Sequence, residues 1–257
     1  MPQKSSYLPG TASWVDLMAA DLDGAKKFYG SIFGWSFEDG GAEMGHYNRA
    51  MARGKQVAGL MPIGPEMKEA PSVWNVYFDT KDLDANLAQV IASGGTKFMG
   101  PQDVMDLGRM AFCMDSAGAA FGFWQAGKHI GAELFGEPGT MAWHELRSRK
   151  LATSIAFYEK VLGNPIEKMD GPVAYYTQKA EGLMHAGLMD VPEKMPAEVP
   201  SHWLVYFGVE NADETAAKIR ELGGRVTAEP FDTPHGRNGF ALDPWGAPFA
   251  FVQVPAS

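Results

Sequence analysis

The chain has a single cysteine, Cys113, among 257 residues. No internal disulfide can form, and a reducing compartment is the expected setting. No apolar run approaches the roughly 20 residues that cross a bilayer, and the opening stretch MPQKSSYLPG lacks the apolar core of a secretory signal. A cytoplasmic location with no membrane partner is therefore expected. Lysine and arginine total 22 against 31 acids, for a net charge of -9, and the basic residues are scattered singly. With no basic stripe to neutralise phosphates, nucleic acid is not an expected partner. Also missing are a glycine-rich phosphate loop after a strand, a G-x-S-x-G elbow and an H-E-x-x-H pair, which removes three common chemistries.

What the chain does contain is a duplication. GTASWVDLMAADLDGAKKFYGSIFG from Gly10 overlays GTMAWHELRSRKLATSIAFYEKVLG from Gly139 at an offset of 129, with 8 of 25 positions identical. PSVWNVYFDTKDLDANLAQVIASGG from Pro71 overlays the stretch from Pro200 at the same offset with 10 of 25 identities. GRMAFCMDSAGAAFGFWQ from Gly108 overlays the stretch from Gly236 at 128 with 9 of 18. Shared composition alone does not hold a register this constant, so the chain divides into two copies of one module, residues 1–127 and 128–257.

Within a module the hydrophobic period changes in a fixed order. Trp14 to Met18 alternates as a strand; Asp21 can cap a helix whose Ala25, Phe28, Ile32 and Phe33 share a face, and Gly34 ends it. Strand-like stretches follow near His46–Arg49 and Val57–Met61, then a loop with Pro62, Pro65 and Pro71. The cycle restarts at Trp74, with a helix capped by Asp82 and two further strands at Arg109–Met114 and Ala120–Trp124. The fold class is α+β: four βαβββ units with mixed sheets and helices on one face.

This order, carried by KKFYGSIFGW, VAGLM, WNVYFDTKDLD and DSAGAAFGFWQ, resembles the vicinal oxygen chelate superfamily of glyoxalases, bleomycin-resistance proteins and extradiol dioxygenases. The likeness spans nearly the whole chain and is strongest to the tandem-module branch that carries glyoxalase-like and hydroxylase labels. It implies sheets that curl, in pairs of units, around concave hollows.

Alternation then assigns faces. Val15, Leu17, Val76, Phe78, Phe112, Phe121 and Phe123 should lie against the helices. The opposite set, facing the hollow, holds Trp14, Asp16, Met18, Asn75, Tyr77, Arg109, Gly122 and Trp124 in the first module. In the second it holds Trp143, Glu145, Arg147, His202, Leu204, Tyr206, Arg237, Ala250 and Val252. Each copy thus offers aromatic walls, a carboxylate and an arginine to a small ligand. The same residues are equally readable as structure, with Asp16–Arg109 and Glu145–Arg237 as ion pairs that fix strand register and the tryptophans as filling. Trp74 and Trp203 have core parity.

The resemblance implies a divalent metal held by one side chain from each of three strands. Those positions fall on Trp14, Asn75 and Gly122, and on Trp143, Leu204 and Ala250, none of which is a good ligand. The expected cofactor is therefore none, with a relocated metal near His185, His202 and Glu145 as the exception. Two readings of function follow. One is a metal-independent module that binds a small planar molecule, as a monomer or homodimer. The other is an enzyme of glyoxalase (lyase), isomerase or hydroxylase/dioxygenase type acting on a small carbonyl or aromatic metabolite, with Asp16 or Glu145 as acid or base. Arg147 and His202 in the second module, against Met18 and Val73 in the first, make the second hollow the more polar and cationic.

Overall fold

The computed structural model describes residues 3–64 and 71–255; Pro65 of the expected proline loop lies outside them. Strand β1 (Ala12–Ala19) leads into helix α1 (Leu22–Phe33). Asp21 caps the helix by accepting the Gly24 N–H at 2.9 Å, and Gly34 ends it at φ 70, a left-handed conformation that favours glycine. Strands β2 (Ser36–Asp39), β3 (Asn48–Ala52) and β4 (Lys55–Pro62) complete the first unit. The second repeats the order as β5 (Val73–Asp79), α2 (Leu83–Ala92), β6 (Thr96–Val104), β7 (Gly108–Met114) and β8 (Ala120–Ala126). After the linker the pattern recurs as β9 (Met141–Ser148), α3 (Leu151–Leu162), β10 (Ile166–Lys168), β11 (Tyr175–Ala180) and β12 (Leu183–Asp190). The last unit is β13 (His202–Val209), α4 (Ala212–Glu221), β14 (Arg225–Thr233), β15 (Gly236–Leu242) and β16 (Pro248–Gln253).

Each module forms one eight-stranded sheet, ordered β2-β3-β4-β1-β5-β8-β7-β6 and β10-β11-β12-β9-β13-β16-β15-β14. The first strands of the two units pair antiparallel at the centre, β1 with β5 and β9 with β13. That pairing sets Asp16 opposite Asn75 and Trp14 opposite Tyr77. It likewise sets Glu145 opposite Leu204 and Trp143 opposite Tyr206.

The helix-covered faces of the two sheets pack against each other around one continuous apolar core drawn from both modules. Phe207 of β13 meets Phe33, Trp35 and Trp74 at ring distances of 4.8, 5.5 and 5.0 Å, and Phe78 of β5 meets Trp203 at 5.0 Å. Trp74 and Trp203 are thus core, as their parity requires. Two polar chains cross this core. The Trp74 indole donates to the Tyr29 hydroxyl at 2.9 Å, and Tyr29 donates to Asp243 of the other module at 3.1 Å. In the mirror arrangement Trp203 donates to Tyr158 at 2.8 Å, and Tyr158 hydrogen-bonds Asp115. Each aspartate also holds a turn, Asp115 taking the Ala117 and Ala119 N–H groups and Asp243, through its other oxygen, those of Trp245 and Ala247. Cys113 is buried, and burial pushes its thiol up to about 12, against the pull of Lys97.

Because both modules share these chains, urea unfolding should follow a single transition by fluorescence and circular dichroism. Tyr29→Phe and Tyr158→Phe should each cost about 1–3 kcal/mol, the range for stranding buried polar partners. Halves separated within residues 127–138 should aggregate or dimerise when expressed alone. Two soluble monomeric halves, or two separate transitions, would refute a shared core.

Candidate functional site

With the helices between the sheets, the opposite face of each sheet is left for a hollow. In the first module Asp16 stands at its floor, 2% exposed. It accepts from Asn75 Nδ2 at 2.9 Å, from the Tyr77 hydroxyl at 2.7 Å and from the Tyr47 hydroxyl at 3.3 Å. The Trp14 indole N–H donates in turn to the Tyr47 oxygen at 2.7 Å. Tyr47 reaches Asp16 across Gly59, where a Cβ would come within 1.9 Å of its hydroxyl. Burial pushes the Asp16 carboxyl up to about 6, against these hydrogen bonds, which favour the anion. The inter-module linker closes one side. Its His129 ring lies perpendicular to the Trp14 ring with centroids 4.5 Å apart, and its carbonyl accepts the Trp124 indole N–H at 2.7 Å.

The second hollow repeats the plan with one change of charge. Glu145, 5% exposed, accepts from Tyr175 at 3.1 Å, and Tyr175 accepts from Trp143 at 2.9 Å, again across a glycine, Gly187. Arg147, 8% exposed, donates through Nε to Glu145 at 3.0 Å, and its guanidinium lies 4.4 Å from the centre of the Phe240 ring. Burial alone would lower the Arg147 pKa, but Glu145 and Tyr206 outweigh it and the pKa is raised. His202 pairs in register with Arg147, and its Nδ1 lies 2.8 Å from the Pro200 carbonyl. Burial, with Arg147 adding to it, holds this imidazole below its ordinary value despite that carbonyl. Leu204, Tyr206, Ala250 and Val252 form a small apolar cluster beside the ion pair.

Trp14, Asp16, Asn75 and Tyr77 are therefore brought together, as are Trp143, Glu145, Arg147, His202 and Tyr206. Arg109 and Arg237 are not. Arg109 pairs with Asp84 of α2 at 3.1 Å and Asp103 at 3.0 Å. Arg237 makes two 2.9 Å bonds to Asp213 of α4 and one of 3.1 Å to Asp232. Both lie on the helix side of their sheets, so the expected pairs with Asp16 and Glu145 do not form. The phase of β7 is inverted relative to the expectation: Phe112, opposite Gly122, packs on Tyr77 at 5.0 Å inside the hollow. Phe240, opposite Ala250, does the same beside Tyr206 in the second module. Apolar residues on both faces of β7 hide its phase, and an acid in the first turn of each helix draws the arginine to that side.

Tyr47, Tyr175 and His129 were not among the expected site residues. The tyrosines could have been found, since they recur at the offset of 128 that also relates Gly59 to Gly187. His129 has no counterpart in the repeat and carried no signal.

The positions where the family resemblance places metal ligands do not fit a divalent ion. Asn75 is engaged with Asp16, and a Cβ at Gly122 would lie 2.4 Å from the Tyr77 ring. Among the described residues no three His, Cys, Asp or Glu side chains converge on a common point. His185 is not drawn to Glu145; the backbone of Ala180 is its hydrogen-bonding partner. Two surface depressions lie elsewhere, one of about 510 Å³ beside α1 and one of about 450 Å³ at the module junction. The aromatic walls of the first hollow, Trp14, Tyr77, Phe112 and Trp124, are themselves buried.

This duplicated βαβββ architecture agrees with the sequence comparison. The sequence model of the Glyoxalase/Bleomycin resistance protein/Dioxygenase superfamily matches residues 11–123 and again 140–251, and the chain belongs to that superfamily. It is 43% identical over 261 residues to "Putative glyoxylase CFP32" of Mycobacterium bovis, with 98% of each chain covered. It is 36% identical over 264 residues to the anthracycline biosynthesis protein DauV of a Streptomyces species, covering 96% of this chain and 94% of that one. Among solved structures, a Mn(II)-bound glyoxalase from Novosphingobium aromaticivorans superposes with a TM-score of 0.65 at 18% identity, over 95% of this chain and 82% of that one. At that identity the likeness speaks to the fold alone. No helix among the described residues is long and apolar enough to cross a membrane.

One buried group beside the second hollow makes stability depend on pH. His144 stands where the first module has Val15, and neither ring nitrogen has a hydrogen-bond partner. Burial, with His185 acting in the same direction, holds its imidazole down to about 3. Burial likewise holds His129 down to about 4, with Arg49 adding and Glu133 opposing. An unfolded chain protonates these groups near pH 6.5. Their contribution to stability is therefore complete above that value and is lost as pH falls toward the folded values. Asp16, with its raised pKa, acts in the opposite sense. His144→Val should remove on the order of 1–2 kcal/mol of the stability lost between pH 7 and pH 5. Urea midpoints at both pH values measure it, and an unchanged difference would show that His144 titrates freely.

Proposed function

We propose that the protein binds a small planar, oxygen-rich molecule without the help of a divalent metal, and that the second hollow receives its anionic or carbonyl end. The carrying observation is Arg147. It is buried, it stands over an aromatic ring, and its contacts with Glu145 and Tyr206 do not use all five N–H donors that a guanidinium offers. A carboxylate, phenolate or quinone oxygen is the complement of such a group, and Trp143, Tyr206 and Phe240 supply ring faces beside it. Relatives named for anthracycline biosynthesis support an aromatic ligand class. Metal independence is supported by the residues at the ligand positions, which offer tryptophan, leucine, glycine and alanine where imidazole or carboxylate would be needed.

Elemental analysis should find much less than one divalent ion per module. 2-Naphthoate, followed by tryptophan fluorescence and calorimetry, should bind the wild type and lose about 1–3 kcal/mol with Arg147→Met or Trp143→Ala. Arg237→Ala should leave binding unchanged, since Arg237 is held on the helix side. A tightly held ion in each module, or equal binding by the Arg147 variant, would overturn the reading.

A second reading rests on Asp16, whose carboxyl titrates about where a general acid or base is most effective. In that reading the first hollow performs lyase, isomerase or hydroxylase-type chemistry on a carbonyl or aromatic metabolite. Turnover of a carbonyl substrate with a pH profile inflecting near 6, abolished by Asp16→Asn, would favour it over binding alone.

A further inference from the structure

The duplication supplies an internal control for charge. Both hollows keep a buried acid on the first strand of the module, Asp16 and Glu145, and both surround it with tyrosine hydroxyls. Only the second keeps a cation beside it. The position that holds Arg147 there is Met18 in the first module, and Asp16 has no ion-pair partner among the described residues. The nearer arginine, Arg49, is paired with Glu38 at 3.0 Å, and Arg109 lies on the opposite face of the sheet. The donors on Asp16 are neutral: one amide and two phenols. They occupy three of the roughly four acceptor positions of a carboxylate and leave its charge uncompensated in a dry site.

The walls are suited to a positive group. Trp14 and Tyr77 sit opposite each other in register, Phe112 packs on Tyr77, and Trp124 lies beyond. The His129 ring of the linker is already among them, perpendicular to Trp14 with an interplanar angle of 89°.

We propose that the first hollow is a binding site for a small organic cation, an aromatic amine or quaternary ammonium, whose charge is met by Asp16 and by the faces of Trp14 and Tyr77 as the His129 ring gives way. The inference deepens the small-molecule-binding reading by giving the two hollows ligands of opposite charge.

Benzyltrimethylammonium, benzyl alcohol and 2-naphthoate, each titrated against the full chain with tryptophan fluorescence and calorimetry, test it. The ammonium should bind about tenfold or more tightly than the alcohol, a preference of the size expected for a desolvated cation–π and charge contact. Asp16→Asn should abolish that preference. Met18→Arg, which installs the counter-charge of the second module, should abolish it too and guards against misfolding of the aspartate variant. His129→Ala keeps the carbonyl that holds Trp124 and should tighten ammonium binding. Arg147→Met should leave the ammonium unaffected while weakening 2-naphthoate, so failure of either hollow is seen separately. Equal binding of ammonium and alcohol, no ammonium binding, or retention of the preference in both Asp16→Asn and Met18→Arg would overturn the proposal.

Discussion

Two buried tyrosines hold the molecule in the arrangement from which the rest follows. Tyr29 and Tyr158 each receive an indole N–H from a strand of their own module and hydrogen-bond an aspartate of the other. An unpaired phenol or carboxylate at this depth would be costly. The two modules therefore satisfy each other's polar groups only in the geometry that also joins their apolar faces. Burial pushes the carboxyls of Asp115 and Asp243 above the usual range, while the backbone and hydroxyl donors around them oppose that shift and hold them in place. Once the helix sides are committed to this shared core, the concave faces of the two sheets are left free of it.

The hollows have kept a common skeleton while their electrostatics diverged. In each, a strand carboxylate is reached by a tyrosine from the second hairpin, and a tryptophan two residues earlier holds that tyrosine. The tyrosine crosses a glycine that no larger residue could replace without displacing it: a Cβ at Gly59 or Gly187 would stand 1.9 Å from the hydroxyl. On this shared frame one substitution, Met18 against Arg147, decides whether the buried acid is neutralised from within. A second asymmetry comes from chain order, because the linker that follows the first module lies over its hollow through His129.

Much of this was legible in the sequence because the duplication doubled every signal. The helix caps at Asp21 and Asp82, the stop at Gly34 and the core parity of Trp74 and Trp203 all rest on local chemistry or strict alternation, and the structure agrees. Parity also placed Trp14, Asp16, Asn75 and Tyr77 on one face, since β1 and β5 alternate cleanly. It failed at β7 and β15. In β7 Met110, Ala111, Phe112 and Cys113 are apolar on both faces, and in both strands the opening arginine is a misleading guide, because its partners include an acid on a helix brought close by the fold. The role of His129 was not legible at all, because a linker residue acquires its neighbours only after the modules have packed.

The same register explains what became of the positions on which the superfamily resemblance centres. Tyr77 follows Asn75 by one alternation on β5, and its ring lies across Gly122 of the parallel neighbour β8. A side chain at residue 122 long enough to reach the middle of the hollow would first have to move that ring, and moving it would take the 2.7 Å hydroxyl contact away from Asp16. In the second module Tyr206 lies opposite Ala250 in the matching pair of strands. The glycine or alanine, the tyrosine and the acid therefore form a linked set in which the small residue makes room for the ring and the ring supports the carboxylate. Any change that restores a longer ligand at one member must be accommodated at the others. This coupling ties the acid at the floor of each hollow to the residue standing where the superfamily resemblance places a metal ligand.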